Sequence, residues 1–125
     1  MVLTSNSISI TLGKTKNDLP RLIGKIGQIT IIKKVINDGG GTKNPSDFTI
    51  TLTANTVTGL FKKTFQGSAV GKTFNIQPGT YRVTETGSAG YDSGFSSNCN
   101  SHINLGQSKR CIITNTFKPL IGKLQ

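Results

Sequence analysis

Between Asp47 and Thr53 every second residue is apolar: Phe48, Ile50 and Leu52 share one face, and Thr49, Thr51 and Thr53 share the other. A period of two marks a strand half-buried against a core, because a helix would scatter the same apolar residues around its axis. The pattern recurs along the chain. Ser7 to Leu12 alternates polar and apolar, and Gln28 to Asn37 is a run rich in β-branched residues. Leu60 to Phe65 and Lys72 to Ile76 are shorter, and Tyr81 to Thr86, His102 to Leu105 and Lys109 to Phe117 complete the set. Turn chemistry separates these runs: Asp38-Gly39-Gly40-Gly41-Thr42, Gly106 to Ser108, and Gln77-Pro78-Gly79-Thr80, whose Pro and Gly sit where a type II turn wants them. Gly87 to Asn100, with Tyr91 and Phe95, reads as a loop. Short strands at regular spacing without a helical pattern predict an all-β chain folded as a single β-sandwich of about seven strands, with an N-terminal extension strand.

A length of 125 residues suits one domain with appendages. The expected division is 1–27 as extension and basic linker, 28–118 as the sandwich, and 119–125 as a C-terminal junction tail. Leu22-Ile23-Gly24-Lys25-Ile26 recurs as Leu120-Ile121-Gly122-Lys123-Leu124, and Ile10-Thr11-Leu12-Gly13 resembles Ile103-Asn104-Leu105-Gly106. Matches that fall in the same order suggest a head-to-tail array, in which the N-terminal segment echoes the end of a preceding copy. Chance similarity between two basic linkers is the alternative. No apolar run approaches the ~20 residues of a membrane helix. No basic and apolar leader opens the chain, so an exported protein would carry this sequence as its mature form.

Three polar residues fall on faces that alternation turns inward: Lys33 with Ile29, Ile31 and Val35; Glu85 with Tyr81 and Val83; Asn115 with Cys111, Ile113 and Phe117. Each is costly to bury alone, and together they can satisfy one another. Cys99 and Cys111 are spaced for a disulfide closing a short loop, with two buried thiols as the alternative.

These stretches resemble Cna B-type domains, the Ig-like, prealbumin-like (transthyretin-like) sandwiches of bacterial and archaeal surface proteins. The resemblance rests on Gly27-Gln28-Ile29-Thr30-Ile31-Ile32-Lys33, on Pro78-Gly79-Thr80-Tyr81-Arg82-Val83-Thr84-Glu85 with Gly90-Tyr91 after it, and on Ile112-Ile113-Thr114-Asn115-Thr116-Phe117. It departs from the usual form in lacking the Ala-Pro before Gly90 and in carrying the cysteine pair. The resemblance implies that Lys33 and Asn115 can join in an intramolecular isopeptide bond, with Glu85 promoting it. Burial would free the Lys33 amine, and a protonated acid beside the Asn115 amide would polarise its carbonyl and shuttle protons as ammonia leaves. An uncrosslinked Lys33–Glu85 pair beside a hydrogen-bonded Asn115 is the plainer reading. A register slip of one residue would substitute Lys34 for Lys33.

The functional expectation is a non-enzymatic structural subunit of an extracellular filament, pilus-like and displayed at the cell surface. Ser5 to Leu12 would be donated to a neighbouring sandwich, with Ile8, Ile10 and Leu12 as alternate anchors beside or in place of an edge strand from Ile103 onward. Leu22, Ile23, Leu120 and Ile121 would pack at the junctions, making the protein a homo-oligomer built by an open head-to-tail contact. The alternative is a monomeric stalk or adhesin domain. It would bind anionic polymers or nucleic acid through a surface whose 15 Lys and Arg outnumber 5 Asp and Glu. The scattered lysines lack the interleaved aromatics of a nucleic-acid groove. Nothing points to an enzyme or a cofactor, and no metal-ligand spacing is present. Asp38, Asp47, Asp92 and His102 read as turn or strand residues rather than ligands.

Overall fold

The computed structural model describes residues 26–119. Eight strands form two sheets: β1 (Gly27–Ile36), β2 (Thr49–Thr56), β3 (Gly59–Gln66), β4 (Lys72–Ile76), β5 (Gly79–Thr86), β6 (Tyr91–Phe95), β7 (Asn100–Ile103) and β8 (Ser108–Phe117). One sheet runs β4-β1-β8-β6 and the other β3-β2-β5-β7. The donor residues Ile8, Ile10 and Leu12 and the junction residues Leu22, Ile23, Leu120 and Ile121 lie outside the described residues.

Alternation decides what each strand buries. β1 sends Ile29 and Ile31 inward, β2 sends Ile50, Leu52 and Ala54, β5 sends Tyr81 and Val83, and β8 sends Cys111 and Ile113; together they form the core between the sheets. The outer face of β2 is threonine, which tolerates water and still favours extended backbone. β3, at one edge, keeps only Phe61 and Phe65 against the core and exposes Lys62 and Lys63, charges that discourage further pairing. β1 and β8, the first and last of the described strands, lie side by side in parallel, from Gln28 opposite Ser108 to Ile36 opposite Thr116.

Four sequence expectations shift. The stretch read as a loop holds β6, which pairs with β8 from Tyr91 opposite Phe117 to Phe95 opposite Ile113. The strand expected over His102–Leu105 is β7, two residues earlier. The run begun at Asp47 starts at Thr49, because Pro45–Asp47 forms a 3-10 turn held by Asp47 Oδ2 accepting from the Asn44 N–H at 2.8 Å. The type II turn at Pro78-Gly79 does not form: Gly79 is absent from the left-handed glycines and already belongs to β5. What demands glycine there is proximity, since a Cβ would run into the Asn55 carbonyl oxygen on β2.

Candidate functional site

β1, β5, β6 and β8 converge at one end of the core and bring Lys33, Glu85, Ser93 and Asn115 together. Lys33 and Asn115 are fully buried. They project from neighbouring strands of one sheet, Lys33 opposite Ile113 and Asn115 opposite Val35. Glu85 reaches across from the other sheet, with its side chain only 2% exposed. Lys34, the competing donor, is exposed on the opposite face of β1. Val35 and Phe117, expected inward, are only half-buried; both stand within the last two residues of their strands.

Lys33 Nζ lies 2.7 Å from Glu85 Oε2 and 4.0 Å from the centre of the Phe48 ring. The ring's negative face and the carboxylate both favour a cation. Burial opposes them and is the larger effect, holding the Lys33 amine below its ordinary value. Gly67 closes the other side: a Cβ there would strike the Pro45 carbonyl and the Lys33 stem.

The amide of Asn115 is tied on one side only. Its Nδ2 donates to Glu85 Oε1 and to Ser93 Oγ, both at 2.9 Å, and Ser93 Oγ donates to the same Glu85 oxygen at 3.0 Å. Lys33 Nζ and Glu85 Oε2 form a close buried ion pair, and Asn115 Oδ1 has no hydrogen-bond partner among the described residues. A buried polar atom without a partner is rare and calls for an explanation. Glu85 Oε1 thus faces the amide nitrogen of Asn115, the leaving group of an acyl transfer.

Four residues from the Asn115 position along β8, Cys99 and Cys111 form a disulfide. It ties the 3-10 turn Ser97–Cys99 to β8. Tyr81 braces the same turn by donating to the Asn98 carbonyl at 2.6 Å, and burial pushes its hydroxyl above the usual range. The remaining candidates are otherwise engaged: Asp92 pairs with Lys118 at 3.0 Å, and exposed His102 contacts Asn104.

Ser93 was hidden from sequence reading. Its neighbours Asp92 and Gly94 read as turn residues, and only the spacing of Tyr91 and Phe95 around it hints at a strand face.

A family model described as a prealbumin-like fold domain matches residues 25–113. The chain belongs to this prealbumin-like family. The match ends two residues short of Asn115, so it spans Lys33 and Glu85 but not the third member of the cluster. Among solved structures, the chain is similar to the pilus-presented adhesin Cpa, at 17% identity and a TM-score of 0.50, covering 75% of this chain and 28% of that one. It is also similar to the major pilin from Streptococcus pyogenes serotype GAS13637, at 14% identity and a TM-score of 0.49, covering 75% and 46%. The chain thus spans less than half of each of these structures. Comparison with curated proteins gives no match. No helix among the described residues is long and apolar enough to cross a membrane.

Proposed function

We propose that the prealbumin-like domain is a non-enzymatic load-bearing unit of an extracellular, pilus-like array at the cell surface, locked by an isopeptide bond between Lys33 and Asn115. The observation that carries this reading is the buried cluster joining the first strand to the last. Within the pair, Lys33 passes a proton to Glu85 and becomes a neutral amine nucleophile. Nζ attacks the Asn115 side-chain carbonyl carbon. As the C–N bond to Nδ2 breaks, Nζ gives up a second proton and Nδ2 leaves as ammonia, with Glu85 carrying protons between the two nitrogens. The step occurs once per chain.

The mechanical consequence follows from topology. β1 and β8 are the first and last of the described strands and lie adjacent in parallel, so pulling on the two ends of the described domain shears them directly. A covalent link from Lys33 to Asn115 carries that load and shields everything between them.

Assembly by strand donation belongs to the same reading. Beyond Ile31, β1 loses its β4 partner; the Lys33 N–H turns to the Ser68 carbonyl instead, and on that side, opposite β8, no described strand pairs with β1 at Val35. Such an edge suits an added strand such as Ser5 to Leu12 of another copy. Negative-stain microscopy of native material tests this: filaments from the full chain and monomers after deletion through Leu12 support it, and unchanged polymerisation of the truncated chain rejects it. The stalk or adhesin alternative draws on the formal charge of +10. Salt-sensitive binding of monomers to an anionic polymer would favour it.

A further inference from the structure

We infer that Ser93 is a positioning residue for the Lys33–Asn115 cross-link, holding the leaving nitrogen of Asn115 against its proton carrier. The inference rests on the isopeptide reading and adds a residue to it. Three hydrogen bonds close a triangle: Asn115 Nδ2 to Ser93 Oγ, Asn115 Nδ2 to Glu85 Oε1, and Ser93 Oγ to Glu85 Oε1. Both protons of Nδ2 are used, so the amide is fixed in one orientation with its nitrogen toward the acid. The Ser93 hydroxyl spends its own proton on Glu85, which turns one carboxylate oxygen toward Nδ2 while the other lies beside Lys33 Nζ. One carboxylate therefore touches the nucleophile through Oε2 and the leaving group through Oε1, and Ser93 keeps it in that bridging pose. Ser93 opposes Asn115 across the β6–β8 pair and is itself exposed. It therefore stands where the cluster meets solvent, on the side from which ammonia can leave.

Without the hydroxyl, Nδ2 keeps one partner and the amide can turn. Losing one hydrogen bond of about 1–1.5 kcal/mol in the reacting geometry corresponds to roughly ten-fold in rate. The test compares Ser93→Thr, which keeps the hydroxyl, with Ser93→Val, its isostere without one; both are β-branched and suit a strand. Full-length protein is made by cell-free synthesis, and ammonia loss is followed by intact mass from the end of translation. Circular dichroism and formation of the Cys99–Cys111 disulfide check that each variant folds. The expected result is wild-type-like kinetics for Ser93→Thr and about ten-fold slower loss for Ser93→Val in an equally folded protein. Equal rates for Val and Thr would overturn the role of Ser93 and leave the cross-link standing. A wild-type chain that keeps its full mass would overturn both.

Discussion

The two ends of β8 are fastened in different ways. Near its start, Cys111 is tied to Cys99, a partner 12 residues away in sequence. Nearer its finish, Asn115 meets Lys33 from β1, Glu85 from β5 and Ser93 from β6. The disulfide braces one local excursion of the chain. The polar cluster gathers four strands from both sheets, so whatever it contributes acts on the whole domain. In the chain-entropy picture, closing the short loop is worth about 3 kcal/mol, and a bond across the roughly 80 residues from Lys33 to Asn115 about 4–5 kcal/mol. The difference is one of reach more than of bond strength, and it decides which fastening can carry load between the ends.

Removing the long-range fastening has the largest expected effect. Glu85→Ala blocks the cross-link and leaves Lys33 buried without its carboxylate, a loss of about 3–5 kcal/mol on top of the lost loop closure. Under force between the ends, the variant should release the stretch between Lys33 and Asn115 outside the loop that the Cys99–Cys111 disulfide keeps closed, about 240 Å at ~3.4 Å per residue, whereas the wild type should show no such step. A wild-type domain that extends by that length under force would place the load elsewhere.

Breaking the local fastening should do less. Replacing both Cys99 and Cys111 by Ser is expected to cost about 3 kcal/mol in urea unfolding while the ammonia loss persists. Were the double variant to keep its full mass, the two ends would be coupled rather than independent.

Titration separates the two ends more finely. In Asn115→Ala, Lys33 stays a titratable amine whose folded value lies below the ordinary 10.5. The unfolded chain then binds more protons than the folded one in the window below 10.5, so this group makes stability rise with pH and contributes fully above that value. Cross-linked as proposed, the wild type would hold Lys33 as an amide, and this contribution would vanish. Urea midpoints measured across alkaline pH for both proteins should therefore diverge; parallel curves would count against the bond.

Lys34→Ala gives the smallest change. Lys34 is exposed on the outer face of β1, and its loss should alter stability by less than about 0.5 kcal/mol and leave the mass change intact. Loss of the cross-link in this variant would mean that the register of β1 is off by one.

The contrast between the ends also shows what a sequence can reveal. Glu85 was legible because β5 alternates strictly, and Lys33 and Asn115 because Ile29 and Ile31 on β1 and Cys111 and Ile113 on β8 mark their inward faces; the doublet Lys33-Lys34 is what left Lys34 open. Ser93 was not, because β6 takes its conformation from the exposed edge of β8 rather than from its own residues: Asp92 and Gly94 are poor strand formers, and pairing overrides them. The turn at Gly79 misled for a related reason. Pro-Gly is a local signal, but the glycine is required by a neighbouring strand pressed against it, a contact no local pattern encodes.

The most direct test of the covalent lock is the intact mass of the reduced, denatured wild-type protein, followed by a protease digest. The account predicts a mass short of the sequence value by one ammonia, and a branched peptide joining the segments that contain Lys33 and Asn115. A full sequence mass, with those two peptides recovered separately, would contradict it.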